Sequence, residues 1–138
     1  MKYLVDTDWL ADYLAEDDGA TFIDRLRDQG LALSVVTYME LYEGAIRVEL
    51  GSDALSRLDT MANELRIVPV NVRVARRCAH IRSTLRAAGG RVRTRALDLI
   101  IAATAIEYGL TLVTRNERDY RDIPGLALYG ATATAPED

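Results

Sequence analysis

Short apolar runs alternate with longer segments of helical spacing along this chain, and that alternation sets the expected architecture. Lys2, Tyr3, Leu4 and Val5 make a run too short for a helix, cut off at Asp6, Thr7 and Asp8. The pattern predicts a buried strand and then a helix over 8–15, with Thr7 or Asp8 as N-cap. Trp9, Leu10, Tyr13 and Leu14 give that helix its apolar side, and Asp17, Asp18 and Gly19 break it. Phe22, Ile23 and Leu26 mark a second helix ending near Gly30, and residues 31–36 read as a second strand. Thr37 is expected to cap a helix over 38–49, with Glu40 at capping-box spacing. A helix over 52–65 carries Leu55, Leu58, Met61, Ala62 and Leu65 on one face, and residues 66–70 are a third strand. Asn71 opens a helix to residue 88 through Val74, Ala75, Cys78, Ile81 and Leu85, closed by Gly89 and Gly90.

The segment that organises the rest spans 95–119. A helix over 96–108 is apolar on nearly all sides, which is the mark of a helix buried between other elements. It carries one acid in its first turn, Asp98, and a carboxylate so placed must find a cation, a partner or water. Gly109 is the expected stop. Residues 111–114 form a fourth strand that ends in the polar cluster Arg115, Asn116, Arg118 and Asp119. Residues 126–129 are expected as an edge strand, and 131–138 as a polar, disordered tail after a domain covering 1–130.

Short, fully apolar strands separated by helices indicate an α/β domain with a parallel sheet. Chemistry in such sheets lies beyond the carboxyl ends of the strands. Asp6, the 37–40 turn and residues 116–119 each follow a strand directly, so they share that edge. The first turn of the 96–108 helix reaches the same edge if that helix runs antiparallel to its strand. Asp6, Glu40, Asp98 and Asp119 are therefore candidates for one acidic cluster.

Composition narrows the chemistry. A chain of 138 residues is one domain by size, and a single Cys leaves no internal disulfide. The start has no signal-peptide pattern and no apolar run spans a bilayer, so a cytoplasmic protein is expected. Net charge is −4, which alone does not mark a nucleic-acid binder. Its distribution does more: residues 66–97 contain no acid but hold Arg73, Arg76, Arg77, Arg82, Arg86, Arg91, Arg93 and Arg95. Such a segment is either a solvated face paired with acids elsewhere or a phosphate-binding surface, for which Arg suits bidentate contacts. Arg91, Arg93, Arg95 and, at the strand end, Arg115 are the candidate contacts to a polyanionic substrate.

Converging carboxylates raise one another's pKa unless a cation joins them, and Mg2+ or Mn2+ with oxygen ligands meets that need. His80 and Cys78 lie in a helical packing pattern, so no zinc site is expected. A magnesium cluster without a nucleophile motif points to phosphoryl chemistry on water. Thr7, Thr37, Thr114 and Asn116 are candidates for orienting the carboxylates, with turn or cap chemistry as the alternative for each.

Four stretches then carry a resemblance: Leu4-Val5-Asp6-Thr7; Thr37-Tyr38-Met39-Glu40-Leu41 with Gly44; Asp98-Leu99-Ile100-Ile101-Ala102-Ala103-Thr104-Ala105; and Thr114-Arg115-Asn116 with Asp119-Tyr120. In this order and spacing the chain resembles PIN-domain proteins, and within them the VapC-type toxins of bacterial toxin–antitoxin pairs. The resemblance implies a PIN-like three-layer sandwich with a short parallel sheet between helices. It implies a metal-dependent ribonuclease inhibited by an antitoxin protein and usually dimeric. It also implies metal ligation at Asp6 and Asp98, with Glu40 and a fourth acid completing the site. Relatives more often have Asn or Ser where this chain has Asp8, which is expected here as a helix cap. Their fourth acid falls at the position of Asn116 or of Asp119, and only Asp119 is acidic here.

Two other readings of the chain are a PIN-fold RNA-maturation nuclease without antitoxin and a non-catalytic RNA-binding module, against which the complete acid set argues. The Asp6-Thr7-Asp8 motif also matches a haloacid-dehalogenase-type phosphatase. That class needs Thr or Val where Leu10 stands, and a downstream Lys, whereas Lys2 is the only lysine.

Overall fold

The computed structural model describes residues 1–15, 20–48 and 53–130. The expected break at 17–19, positions 49 and 52, and the tail from 131 lie outside the described residues. Among the described residues, four strands are separated by six helices in pairs: β1 (Tyr3–Val5), α1 (Thr7–Leu14), α2 (Ala20–Gly30), β2 (Leu31–Ser34), α3 (Val35–Val48), α4 (Ala54–Glu64), β3 (Arg66–Val68), α5 (Val72–Ala87), α6 (Ala96–Glu107) and β4 (Thr111–Val113). Short 3-10 turns over Arg93–Arg95 and Glu117–Asp119 flank α6 and β4.

All pairings are parallel and the strand order is β3-β2-β1-β4. The side-chain period of two divides the strands between two cores. Leu4, Ala32, Val68 and Leu112 point into one, packed with Val74, Cys78, Ile81 and Leu85 of α5 and Leu99, Ile101 and Ala102 of α6. Tyr3, Val5, Leu31, Leu33 and Val113 point into the other, with Leu10 of α1, Ile23 and Leu26 of α2, and Leu58 and Met61 of α4. Strands buried on both faces between helices explain the continuous apolar runs. The expected three-layer α/β sandwich is the observed fold.

β1 is the strand from which the chain winds both ways. It pairs with β2 on one side and β4 on the other, so Asp6 emerges where the winding reverses. The Asp6 backbone N–H extends the pairing by donating to the Val113 carbonyl at 2.9 Å. Gly109, at φ 67°, turns the chain from α6 into β4, a conformation glycine adopts without steric cost.

Several boundaries differ from expectation for local reasons. The N-cap of α1 is Asp6, whose side chain accepts the Thr7 N–H; neither Thr7 nor Asp8 caps it. The Ser34 hydroxyl accepts the Val36 N–H at 3.0 Å and turns the chain into α3 at Val35. Thr37 therefore lies inside the first turn of α3, and the capping box with Glu40 does not form. Asn71 does cap α5, accepting the Val74 N–H at 2.9 Å. The expected edge strand at 126–129 is reduced to one bridge, Leu112 with Leu128.

Candidate active site

Asp6 sits at the carboxyl end of β1 and is 6% exposed. Its Oδ1 accepts the Thr7 N–H at 2.8 Å. Its Oδ2 accepts the Thr114 hydroxyl at 2.9 Å and lies 3.2 Å from the Tyr120 hydroxyl. β4 delivers Thr114 to this position because β4 is the neighbour of β1. Thr114 is itself fixed, accepting the Asn116 N–H at 3.0 Å.

Asp98, in the first turn of α6, is half-buried, and its Oδ1 lies 3.2 Å from the same Tyr120 hydroxyl. Two carboxylates remote in sequence thus meet at one phenol. Glu40, one turn into α3, accepts the Thr7 hydroxyl at 2.6 Å. The sequence places Thr7 immediately after Asp6, so this bond ties Glu40 to the same strand end. Asp119 closes the Glu117–Asp119 turn, next to Tyr120, with its side chain exposed.

The electrostatics tie these groups together. Burial pushes the Asp6 carboxyl up, against the hydrogen bonds from Thr7, Thr114 and Tyr120. The nearby Asp8 charge adds to the rise. Burial also raises Asp98, followed by the charge of Asp6 and, less strongly, those of Asp119 and Glu40. The Tyr120 phenol is held well above its ordinary value by burial and by the charges of Asp6 and Asp98. The other three acids therefore all lie within electrostatic reach of Asp98.

The remaining expected residues divide. Thr37 is buried, and its Oγ1 has no hydrogen-bond partner among the described residues. Three residues before Glu40 on the same helix, it shares a side with that acid. Asn116 donates from Nδ2 to Asp8 Oδ2 at 3.0 Å, which is the role Asp8 takes instead of capping. Arg91 and Arg93 are exposed. Arg95 is engaged: its guanidinium meets both Asp122 carboxylate oxygens at 2.8 and 2.9 Å and donates to the Asp119 carbonyl. Arg115 pairs with Asp12, its guanidinium 4.1 Å from the Trp9 ring centre. Tyr120 is the residue that sequence reasoning missed. The available signal was one aromatic in an otherwise polar stretch, 115–122.

Among the described residues no three His, Cys, Asp or Glu side chains form a ready-made metal cluster. The donors present still suit a hard cation. They are all oxygens, Asp98 Oδ2 has no hydrogen-bond partner among the described residues, and the Asp6 charge makes Asp98 harder to ionise. Mg2+ needs only one or two direct carboxylates and keeps several waters.

The raised pKa values fix a direction with pH. Both carboxyls hold a proton more readily in the folded chain than in the unfolded one. Without a cation the fold therefore loses stability as pH rises from the ordinary Asp value of 3.8 through the raised values. Asp98→Asn removes one charge and keeps the shape. In EDTA at neutral pH it is expected to stabilise the fold by on the order of 1 kcal/mol and to flatten the decline with pH. Thermal unfolding across pH measures both. A variant that melts clearly lower in EDTA would show Asp98 to be a structural group with satisfied partners.

The described residues contain no helix long and apolar enough to cross a membrane. The family model for the PIN domain matches residues 3–126. Among solved structures, the chain is similar to VapBC2 from Rickettsia felis bound to a promoter DNA fragment. Identity there is 25% over 93% of this chain and 97% of that one, with a TM-score of 0.82. DNA-bound VapBC from Salmonella typhimurium gives 25% identity, 93% and 96% coverage, and a TM-score of 0.83. VapBC-5 of the Mycobacterium tuberculosis toxin–antitoxin family gives 29%, 91% and 93%, and 0.65. No match was found among curated proteins.

Proposed function

This chain belongs to the PIN-domain family, and from that premise we propose that it is a cytoplasmic, Mg2+- or Mn2+-dependent endoribonuclease, the toxin of a toxin–antitoxin pair. The observation that carries the reading is the meeting of Asp6 and Asp98 at one buried hydroxyl, with Glu40 and Asp119 within electrostatic reach. The oxygen-only donor set supports Mg2+ or Mn2+ over zinc. In this proposal Asp6 and Asp98 hold the cation, and Glu40 and Asp119 complete its surroundings. When bound, the cation supplies an activated water and neutralises charge on the scissile phosphodiester. Thr7 holds Glu40, and Thr114 holds Asp6, so neither carboxylate reorients when RNA arrives. Thr37 offers a buried hydroxyl with no hydrogen-bond partner among the described residues, and Asn116 restrains Asp8 at the rim.

Four acids repel a polyanion, so the RNA backbone needs cations of its own. Arg91 and Arg93, exposed just before α6, are the proposed contacts. Arg95 and Arg115 join them with part of their charge already met by Asp122 and Asp12. The similarity to VapBC complexes supports an antitoxin partner. An exposed apolar stripe along α3, Val35, Met39, Tyr42 and Ile46, supports a homodimer. Sedimentation alone, and with the product of the adjacent reading frame, tests both partners. A monomer in each mixture removes them.

Cleavage and binding separate the acids from the arginines. The purified protein is expected to cut RNA with Mg2+ and to stop in EDTA. Asp6→Asn is expected to lose cleavage while still binding RNA. Replacing Arg91 and Arg93 together by Ala is expected to weaken binding alike for different RNA sequences. It also lowers the log–log salt slope by about 0.7 for each phosphate no longer neutralised. Undiminished cleavage by Asp6→Asn in Mg2+ contradicts the metal-site assignment. An unchanged salt slope removes the arginines from the RNA surface.

A further inference from the structure

We propose that the Tyr120 hydroxyl is the positioning group that aligns Asp98 with Asp6 for a shared divalent cation, an inference that rests on the reading of these two carboxylates as cation ligands. The two acids are not held alike. Asp6 has the Thr7 N–H and the Thr114 hydroxyl as well as Tyr120. Asp98 has Tyr120 as its sole hydrogen-bond partner among the described residues. It does not cap its own helix: α6 starts at Ala96, and its N-cap position, Arg95, has no side-chain cap bond. Without the phenol, no hydrogen bond among the described residues fixes Asp98.

Tyr120 is built to impose a position. Its ring is 1% exposed and belongs to the core of α5, α6, Ile123 and Leu128. Its backbone is held on both sides: the N–H donates to the Glu117 carbonyl at 2.9 Å, and the carbonyl accepts the Ile123 N–H at 3.2 Å. Arg95 clamps the same turn from the start of α6 through Asp122 and the Asp119 carbonyl. The hydroxyl therefore cannot follow a wandering carboxylate; the carboxylate must come to it.

The division of oxygens fits a ligand pair. Tyr120 and Thr114 together occupy Asp6 Oδ2, leaving Oδ1 with the Thr7 N–H alone. Tyr120 occupies Asp98 Oδ1 and leaves Oδ2 without a hydrogen-bond partner among the described residues. The hydroxyl has one proton to give, shared between Asp6 Oδ2 and Asp98 Oδ1 at 3.2 Å each, so it faces one oxygen of each carboxylate and spares the other. The competing account is that Tyr120 is a core residue whose hydroxyl bonds the nearest acceptors.

Tyr120→Phe distinguishes the two, since it keeps the ring and removes only the hydroxyl. Mn2+ affinity is measured without RNA, by titration calorimetry or electron paramagnetic resonance. Groups that orient metal ligands are worth about 10–100-fold in metal affinity, and a loss in that range is expected. The Mn2+ concentration for half-maximal cleavage should rise in step, with turnover recovered at saturating Mn2+. Tyr3→Phe is the control. Tyr3 is also buried and donates its hydroxyl to Gln29 at 3.2 Å, away from the site, so its loss leaves Mn2+ affinity unchanged. Adding Asp98→Asn to Tyr120→Phe should cost less than the two losses combined, because the tyrosine acts through Asp98. Wild-type Mn2+ affinity in Tyr120→Phe, or additive losses in the double variant, overturns the proposal. A wild-type protein that binds no Mn2+ overturns the underlying ligand reading, and the proposal with it.

Discussion

A carboxylate withdrawn from water must be met by donors or by a cation, and in this fold that demand falls on Asp6. Its backbone belongs to the sheet, since its N–H completes the pairing with β4. It cannot move out to solvent without breaking the central strand register. The groups around it follow from that fixed point. Thr7 comes next in the chain, Thr114 arrives on the neighbouring strand, and Tyr120 folds back through the turn after β4. Each supplies a hydrogen bond, yet burial still leaves the carboxyl raised. The fold thus holds an ionisable group under an electrostatic load that its own donors do not remove.

The apolar helix α6 adds to that load. Its buried residues Leu99, Ile101, Ala102, Ala103 and Ala105 lock it against α5 and the sheet, with little freedom to slide. Its first turn is therefore fixed at the sheet edge, and Asp98 with it. The packing that stabilises the domain is what holds two like charges close together. The tightly packed core and the strained acidic edge are one arrangement. Cores commonly supply the surplus from which such sites draw.

Much of this was legible in the sequence. Strand and helix positions followed from runs of four or five apolar residues between helical periods, and the parallel sheet followed from strands apolar on both faces. The expectation that Asp6, Glu40, Asp98 and Asp119 share one edge came from the rule for strand ends, and the nearness of Asp6 to Asp98 through Tyr120 agrees with it. What was not legible depended on choices between near-equal local bonds. Residues 31–36 are continuously apolar or small, so period could not mark the strand end; the Ser34 hydroxyl decided it. Thr37 and Glu40 have capping spacing, yet Glu40 bonds Thr7, a partner 33 residues away. For Arg95 the sequence left open a paired face or a phosphate contact, because its partner Asp122 lies 27 residues on. Tyr120 entered only as part of the stretch that carries the resemblance, because spacing says nothing about where a phenol's oxygen ends.

The central claim is that Asp6 and Asp98 form one cation-holding pair. Crystals grown with Mn2+ test it directly through the anomalous scattering of the ion. The account predicts a peak within about 2.1 Å of an oxygen from each of these two carboxylates. A peak elsewhere, or none at saturating Mn2+, would contradict it.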